Sequence, residues 1–289
     1  MRLRPDWRLV CRTGGTLTFA NEERSVQLVT SADLALELAE HLSGSQVPPV
    51  RTEVARALEA LNQWGLLTSD KLGIDPRLDR TYEYFSCFDS DPVSALTRLC
   101  GSHVLILGLG GTGSVVMQHL IGAGIGALTL VDEDVVEVSN LNRQFVYRLD
   151  DVGRAKVDVC AEYARARHPA TQCTPFRAPI AGASDLALVI DAETPPDLVL
   201  VAIDRPIESI IQVVTAWLAE ARIPYVVAGV GVRYGSAATV SVGVADNRNF
   251  SGTTASISTT NSISASYAAH SIIEFLTDTP LAFEMTSRA

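Results

Sequence analysis

The chain has 289 residues, of which 47% are hydrophobic and 19% are charged, and its formal net charge is −10. This size and composition predict a globular protein with one large domain and one small domain. A broad nucleic-acid surface requires an excess of Lys and Arg, so the acidic balance argues against nucleic acid as a partner. The apolar runs are too short or too interrupted to span a bilayer, and the N-terminus lacks the apolar core of a secretory signal.

The cysteines are scattered and form no C-x-x-C pair, which argues against both a disulfide framework and a zinc site. We therefore expect a reducing compartment, and predict that the protein is cytoplasmic. The five residues are Cys11, Cys87, Cys100, Cys160 and Cys173.

The first 78 residues are predicted to form a small α+β module. Turn residues separate three short strands at 7–13, 16–20 and 25–30. Ser31 is a predicted N-cap for a helix that Gly44 ends, and Thr52 is a predicted N-cap for a second helix. Their apolar stripes consist of Leu34, Leu38 and Leu42 in the first helix, and Val54, Leu58, Leu61 and Trp64 in the second.

Three strands and a helical pair of this size are typical of a winged-helix-like module. Such modules often bind DNA, but these helices carry Glu37, Glu40, Glu53 and Glu59 and lack a basic stripe. We therefore favour a strand edge that captures an extended peptide. The alternative is an accessory module that only packs on its neighbour.

The region from 79 to 289 is predicted to be the large domain, and it is organised around a glycine turn. An apolar run from Val104 to Leu107 leads into Gly108, Gly110, Gly111 and Gly113, which a helical pattern follows. A second apolar run, 127–131, ends on Asp132. Glycines at a strand-to-helix turn let the backbone approach phosphate oxygens, and an acid after the next strand suits a ribose hydroxyl. The stretch therefore predicts nucleotide binding.

Polar residues beyond Asp132 point to a polyphosphate rather than to a nicotinamide cofactor. Arg143 and Lys156 are predicted to flank the glycine turn, where a guanidinium fork and a point charge grip phosphates. Asp204 follows the buried strand predicted at 197–203, and a carboxylate at this edge of a parallel sheet is well placed for Mg²⁺. A dehydrogenase would explain neither the SNLNRQ segment at 139–144 nor Lys156.

Other elements are predicted from local pattern. We expect a short helix at 92–99 and a helix that Asp150 or Asp151 caps and that runs to about Arg167. The Ser/Thr/Asn-rich stretch 247–264 is predicted to be a loop over the active site, leading into a final helix at 265–276.

The motifs GLGGTG, LVDEDVVEVSNLNRQF, VGRAKV and LVAID occur here in the order and at the spacing of a known group of enzymes. Over about 99–232 the chain resembles the ThiF/MoeB/HesA superfamily, the ubiquitin-activating-type adenylating enzymes. The resemblance implies a Rossmann-like, mainly parallel α/β domain that binds Mg-ATP. It also implies that a carboxylate attacks the α-phosphate, giving an acyl adenylate and pyrophosphate.

The resemblance also implies roles for individual residues. In the glycine turn and beyond it, nucleotide contacts would come from Gly108, Gly110, Gly111, Gly113, Asp132, Asn140 and Gln144. Arg143 and Lys156 would hold the phosphates during the reaction, and Asp204 would bind Mg²⁺. Arg80 would reach the ATP of a partner subunit, which implies a homodimer.

The sequence departs from many relatives because no cysteine follows Cys173. Relatives with two C-x-x-C pairs bind zinc after the Asp204 strand, so no zinc is expected here. Thioester transfer in the ubiquitin manner also needs a cysteine in this region, so it is disfavoured.

A small three-stranded module before an adenylation domain resembles the peptide-modifying branch of this superfamily, the microcin C and pantocin maturation enzymes. That resemblance implies that residues 1–78 bind the leader of a ribosomally made precursor peptide, as a strand beside 25–30. The function predicted is adenylation of a carboxylate on that peptide, with release of pyrophosphate. AMP would then leave in a cyclisation, dehydration or amidation, or a nucleotidyl group would stay attached, and a downstream modifying enzyme is a possible partner. The alternatives are a catalytically silent leader-binding scaffold for a cyclodehydratase, and an activating enzyme for a ubiquitin-like or sulfur-carrier protein.

Overall fold

The protein is described from a computed structural model. It describes residues 1–43, 49, 51–68, 73–89, 91–203, 209–231, 235–237, 239–246 and 256–281, with the backbone alone at 235 and 236. Two compact units are present, one containing Met1–Leu96 and the C-terminal residues from Thr279, the other containing Thr97–Asp278. The boundary between the two units along the chain thus falls within a helix at 92–101. The domain boundary predicted at residue 78 stays a prediction.

The first unit contains an antiparallel three-stranded sheet with two helices on one face. Its strands are β1 (Arg2–Leu3), β2 (Arg8–Thr13), β3 (Thr16–Ala20), β4 (Ser25–Val29) and, after the helices, β5 (Leu67–Thr68); its first helices are α1 (Ala32–Leu42) and α2 (Thr52–Gln63). The sheet order is β2-β3-β4, and β1 pairs separately with β5. The core lies between β3 and the helices, where Leu17, Phe19 and Leu38 are fully buried.

The predicted strands and both helices of this unit are confirmed, but one predicted cap is wrong. The Ser31 hydroxyl accepts a hydrogen bond from the Leu34 N–H at 3.3 Å, as an N-cap should. Thr52 is not a cap, because it is already the first helical residue and Arg51 precedes it without a side-chain cap. Gly44, predicted to end α1, lies outside the described residues.

Two more helices precede the large sheet. A 3₁₀ turn, Pro76–Leu78, leads into α3 (Asp79–Ser86), and α4 (Pro92–Gly101) confirms the short helix predicted at 92–99. Arg4 donates from its guanidinium to the Ser86 carbonyl at 2.8 Å, which ties the N-terminus to the end of α3.

The second unit is a doubly wound α/β sheet. Its elements are β6 (His103–Leu107), α5 (Gly113–Ala123), β7 (Ala127–Val131), α6 (Lys156–Arg167), β8 (Gln172–Phe176), α7 (Ala183–Val189), β9 (Leu198–Val201), α8 (Ile210–Glu220), β10 (Tyr225–Val230), β11 (Gly235–Ala237) and α9 (Ser258–Thr277). The strand order is β11-β10-β9-β6-β7-β8. Five strands are parallel, and β11 alone runs antiparallel. The predicted Rossmann-like fold class is confirmed.

Both faces of this sheet are covered, which is why its strands are continuous apolar runs rather than alternating ones. One face carries α7 and α8, with Leu105, Val199 and Val214 buried between strand and helix. On the other face, α5 contacts both α6 and α9.

The chain winds from β6 to one side through β7 and β8, and then returns to the other side through β9 and β10. The direction therefore reverses between β6 and β9. In open α/β sheets, ligands bind in the crevice at the carboxyl ends of the strands at this reversal. The fold therefore predicts a ligand site at the residues that follow β6 and β9.

Two predicted helix starts are wrong. Neither Asp150 nor Asp151 caps α6, which begins at Lys156 after Ala155; Asp151 instead accepts hydrogen bonds from the Arg148 N–H and the Arg154 guanidinium. The final helix begins at Ser258, seven residues before the predicted start, so 258–264 is helix rather than loop. Residues 247–255 of the predicted active-site loop lie outside the described residues.

Candidate nucleotide site

The glycine turn that follows β6 lies at the reversal point of the sheet. Gly108 has a φ of +90°, which an L side chain rarely adopts. A Cβ at this position would also lie 2.5 Å from the carbonyl oxygen of Ala202, just beyond β9. The ends of β6 and β9 are therefore in direct backbone contact, and only glycine fits between them.

Gly113, the first residue of α5, packs directly on the start of the turn. A Cβ here would lie 1.8 Å from the Gly108 carbonyl oxygen. Between these two glycines, the Gly110 carbonyl accepts hydrogen bonds from the Ser114 N–H at 3.2 Å and from its hydroxyl at 2.7 Å. The turn is thereby closed onto the first turn of the helix.

Four consecutive backbone N–H groups of the turn are left for a ligand. The donors of Gly110, Gly111, Thr112 and Gly113 have no acceptor in the described part of the chain. They lie at the N-terminus of α5, where the helix dipole also favours negative charge. The arrangement suits phosphate oxygens.

Asp132, at the end of β7, supports the turn from the side. One carboxylate oxygen accepts from the Leu109 N–H at 2.6 Å, and the other accepts from the Asp134 N–H at 2.8 Å. Burial raises the pKa of Asp132, while the nearby Lys156 ammonium and the two backbone N–H groups act against that rise. Each oxygen keeps a second lone pair that is available to accept a further hydrogen bond. The hydrogen bond predicted between Asp132 and a ribose hydroxyl stays a prediction.

Lys156 is buried at the site rather than lying on the surface. It is 5% exposed, and its ammonium donates to the Asp134 carboxylate at 2.7 Å. The Asp134 side chain is 62% exposed. A cation that is itself desolvated, with a partner open to solvent, interacts strongly with any anion that reaches the turn.

The polar SNLNRQ segment folds into a short turn that places Gln144 against the glycines. Asn140 is buried, and its side-chain oxygen accepts from the Glu137 N–H at 3.1 Å. Its own carbonyl accepts from the N–H groups of Arg143 and Gln144. The Arg143 guanidinium donates to the Ser139 carbonyl at 2.8 Å and to Asn142 at 2.9 Å, within its own segment.

Gln144 has the one unexplained polar atom at the site. It is 3% exposed, and its side-chain oxygen has no hydrogen-bond partner among the described residues. Its amide nitrogen would lie 4.0 Å from a Cβ on Gly110. An unpaired buried amide oxygen is costly, and a nucleotide hydroxyl or amino group would satisfy it.

Sequence reasoning missed Tyr147, which fixes the back of the turn. Its hydroxyl donates to the Leu109 carbonyl at 2.8 Å and lies 3.4 Å from the Cys160 sulfur. Because that one hydroxyl hydrogen is committed to Leu109, the thiol is the donor of the second bond. Burial raises the pKa of Tyr147 well above its usual range, so the phenol stays protonated. The sequence indicates this residue only by its position, three residues after the polar segment 139–144.

Asn261 on α9 was also missed, and it contacts the opposite side of the turn. It is 3% exposed, and its amide donates to the Ile257 carbonyl at 2.7 Å. The Thr112 hydroxyl donates to its side-chain oxygen at 3.4 Å. Because the sequence predicts a loop through residue 264, it does not predict that Asn261 contacts the turn.

The roles predicted for two further site residues stay predictions. Asp204, the predicted Mg²⁺ ligand, lies outside the described residues. Arg80 is exposed on α3, in the first compact unit. Within the described part of the chain, no three His, Cys, Asp or Glu side chains cluster as a metal site.

Comparison with known sequence families gives a match to the ThiF family over residues 86–286. This range covers most of the chain and the whole nucleotide site described above. The chain belongs to the ThiF family.

Curated relatives match a short part of the chain. One is the adenylyltransferase and sulfurtransferase uba4 of Aspergillus clavatus, 47% identical over 81 residues, which are 28% of this chain and 16% of that protein. Another is the SAMP-activating enzyme E1 of Haloferax volcanii, 43% identical over 81 residues, which are 28% of this chain and 30% of that protein. The chain therefore matches less than a third of the length of these ThiF-type relatives.

Solved structures match much more of the chain. E. coli MccB, solved with AMPCPP and MccA, superposes with a TM-score of 0.73 at 20% identity, over 96% of this chain and 89% of that one. The same enzyme has been solved with ATP, again at a TM-score of 0.73. PaaA gives a TM-score of 0.66 at 21% identity, over 78% of this chain and 84% of that one. These likenesses confirm the predicted fold.

One further observation bears on location. Across the part of the chain that the structure describes, no helix combines the length and apolarity that a membrane crossing requires. The predicted cytoplasmic location stays a prediction.

Proposed function

We propose that this protein uses Mg-ATP to adenylate a carboxylate of a ribosomally made precursor peptide, releasing pyrophosphate. Membership of the ThiF family over the residues that form the site supports this proposal most strongly. The four unpaired N–H donors of the glycine turn, beside the buried Lys156, fit a polyphosphate.

In the proposed reaction, a carboxylate oxygen of the peptide attacks the α-phosphorus of ATP. A new O–P bond forms, the bond from the α-phosphorus to the bridging oxygen breaks, and pyrophosphate leaves with that electron pair. The nucleophile is already ionised, so no general base is needed. The protein's work is to align the reactants and to stabilise charge on the phosphates, which falls to the glycine turn, Arg143 and Lys156.

The Gln144 amide oxygen would accept a hydrogen bond from the nucleotide, and Asp132 would accept one from the ribose. Mg²⁺ would be held by Asp204 together with phosphate oxygens, a set of hard oxygen donors that this ion prefers. When bound, the ion supplies positive charge beside the phosphates.

The peptide is proposed to bind to the first compact unit, at the edge formed by β4. This strand is at one end of the β2-β3-β4 order. Its inward-facing residues Val26 and Leu28 are only partly buried, whereas Leu17 on the neighbouring β3 is fully buried. An extended peptide added beside β4 would cover this remaining apolar surface and pair with the edge. MccB has been solved in complex with the peptide MccA, and the likeness to its fold supports this part of the proposal.

We also propose that the active form is a homodimer in which Arg80 reaches the nucleotide of the partner subunit. The exposure of Arg80 on α3 is compatible with this role. Sedimentation of the wild type, together with a mixing experiment between Arg80→Ala and Asp204→Asn subunits, tests the idea. Shared sites would restore activity in the mixture, and independent sites would not.

A second candidate function is activation of a ubiquitin-like or sulfur-carrier protein. It is favoured by the curated relatives, which include the SAMP-activating enzyme E1 of Haloferax volcanii, 43% identical to this chain over 81 residues. The absence of any cysteine after Cys173 disfavours its thioester step. A catalytically silent leader-binding scaffold is the third candidate, and retention of Lys156 and Asp204 disfavours it.

Pyrophosphate release with different acceptors separates these functions. The purified full chain would be given Mg-ATP with a short peptide encoded beside this gene, with a folded ubiquitin-like carrier, or with neither. We expect release with the peptide alone. Release only with the carrier supports the second candidate, and no release with either, despite peptide binding, supports the scaffold.

Matched variants then test the division of labour. Asp204→Asn should abolish pyrophosphate release while leaving peptide affinity unchanged; Asp197→Asn, at the opposite end of β9, should preserve both. Leu28→Glu should weaken peptide binding, because Leu28 belongs to the partly buried surface of β4 that the peptide would cover, whereas Leu9→Glu, at a partly buried residue of the other edge strand, should not. Loss of peptide binding in Asp204→Asn would contradict separate roles for the two units.

A further inference from the structure

Asn261 is the residue of the last helix that reaches the glycine turn. It is held at the start of α9 by the 2.7 Å bond from its amide to the Ile257 carbonyl. Its other side-chain atom, the carbonyl oxygen, faces Thr112 and Gly111. One side chain thus connects α9 to the N-terminal end of α5, at a separation of about 150 residues along the chain.

A side chain at Gly111 would collide with Asn261. A Cβ at position 111 would lie 2.5, 2.7 and 3.2 Å from three atoms, and all three belong to the Asn261 amide. By contrast, the nearest atoms that a Cβ would meet at Gly108 and Gly113 are backbone carbonyl oxygens. At Gly108 and Gly113 a Cβ would therefore meet fixed backbone, whereas at Gly111 it would meet a side chain that a substitution can remove.

Thr112 adds a second reason to place Asn261 in the site. It occupies the N-cap position of α5 but makes no capping bond to its own helix. Its hydroxyl hydrogen is instead directed to Asn261. Residues 111 and 112, whose N–H groups are among the four unpaired donors, are thus restrained from α9. This restraint adds to the bonds that the Thr112 carbonyl accepts from the Val115 and Val116 N–H groups of α5.

We propose that Asn261 is a positioning residue of the nucleotide site, which holds Gly111 and Thr112 so that their N–H groups face the phosphates. This inference rests on the proposed binding of ATP. It adds a residue that touches the protein turn and acts through it. Neither the motif spacing nor the predicted loop assigned any role to this position.

The first test compares two buried polar residues of the same helix. Ser264 is 2% exposed, lies one turn after Asn261, and donates to the Gly229 carbonyl at 3.1 Å, away from the glycine turn. Asn261→Ala and Ser264→Ala should lower the unfolding midpoint similarly. Only Asn261→Ala should raise the dissociation constant for Mg-ATP, by about fivefold to tenfold for the loss of one buried hydrogen-bonded support, as titration calorimetry would show. Peptide affinity should be unchanged in both.

The second test is a rescue. Gly111→Ala alone should weaken Mg-ATP binding by more than about tenfold, because the new methyl group overlaps the amide of Asn261. In an Asn261→Ala background all three clashing atoms are gone. The same Gly111→Ala change should then cost less than about twofold, a non-additivity that marks direct coupling.

The outcomes separate this inference from the function on which it rests. If wild type binds no nucleotide, the proposed function fails and the inference fails with it. If wild type binds Mg-ATP and Asn261→Ala binds it as tightly as Ser264→Ala does, the inference alone is overturned. It is equally overturned if Gly111→Ala stays as damaging in the double variant, since the glycine would then be required by the phosphates rather than by Asn261.

Discussion

Replacing Gly113 by alanine should damage the fold and the site together, whereas the same change at Gly122 should do neither. Both glycines lie in α5, at its first residue and near its end. A methyl group at 113 would lie 1.8 Å from the Gly108 carbonyl oxygen, and one at 122 would meet nothing within 4 Å. The pair therefore separates a packing constraint from helix propensity within a single helix.

The magnitudes follow from these distances. At 113 the methyl would be about 1.6 Å closer to the oxygen than ordinary contact allows, so the helix must move away from the strand. Overpacking against backbone costs about 3 kcal/mol, and for a unit of this size each kcal/mol lowers the melting temperature by about 2–4 °C. We expect Gly113→Ala to lose about 6–12 °C. Gly122→Ala removes backbone entropy from the unfolded chain and should gain about 0.5 kcal/mol.

Differential scanning calorimetry of the full chain measures both changes, and titration with Mg-ATP measures the site. Gly113→Ala should also lose most nucleotide affinity, because any movement of α5 displaces the four free N–H groups. A Gly113→Ala protein that melts within about 1 °C of the wild type would refute the proposed backbone contact. Loss of stability in Gly122→Ala would show that α5 tolerates no change, and would remove the contrast on which the argument depends.

Two further predictions concern buried groups. Lys156→Met should weaken Mg-ATP binding by more than about tenfold, because a charge-assisted contact to phosphate is lost. The melting temperature of this variant should hold or rise, because a methionine replaces a desolvated ammonium and Asp134 stays solvated. The control is Arg165→Met, on the exposed side of α6. Equal nucleotide affinity in the two variants would contradict the role of Lys156. Burial raises the pKa of Cys160 to about 12 and that of Cys173 to about 11, so both remain thiols from pH 7 to pH 9. Peptide mass spectrometry after iodoacetamide treatment at pH 8 should show the exposed Cys11 and Cys100 alkylated before Cys160, and all of them alkylated in urea; early labelling of Cys160 in the native protein contradicts its burial.

The sequence predicted the nucleotide-binding part of the fold closely, because each of its signals is local. The apolar run at 127–131 matches β7 residue for residue, and the glycine turn lies at the reversal of the sheet as its spacing indicates. A strand, a tight turn and a helix need only neighbouring residues to define them. The pattern therefore contained enough information to place Gly108, Gly113 and Asp132 together.

The misses have a common physical origin in contacts between distant parts of the chain. The stretch 258–264 contains Ser, Thr and Asn, which favour turns over helix interiors, and it was predicted as loop. In the structure α9 packs along α5, and the burial of Ala265 and Ala268 outweighs this weak propensity. Asn261 became visible only with that packing. Similarly, Asp151 has a side chain that often caps helices, but its carboxylate instead accepts hydrogen bonds from the Arg148 N–H and the Arg154 guanidinium.

The burial of Lys156 could not be predicted from the sequence either, because it also depends on contacts between distant parts of the chain. A lysine at the start of a helix is ordinarily solvated. No sequence pattern indicates that Lys156 forms an ion pair with Asp134, 22 residues earlier. What the sequence did offer was the identity of the residue through the motif VGRAKV, and the structure adds that the ammonium is held in a fixed place.

The contact between Gly108 and the Ala202 carbonyl has a consequence for any attempt to change the ligand of this protein. The floor of the crevice consists of main chain on both sides, with no room for a Cβ between them, so no side-chain substitution there can widen or reshape it. Variation has to come from the walls, namely the segment from Asp132 to Lys156 on one side and the start of α9 on the other. Selection for a new nucleotide preference should therefore yield substitutions in these walls, with the turn itself left unchanged.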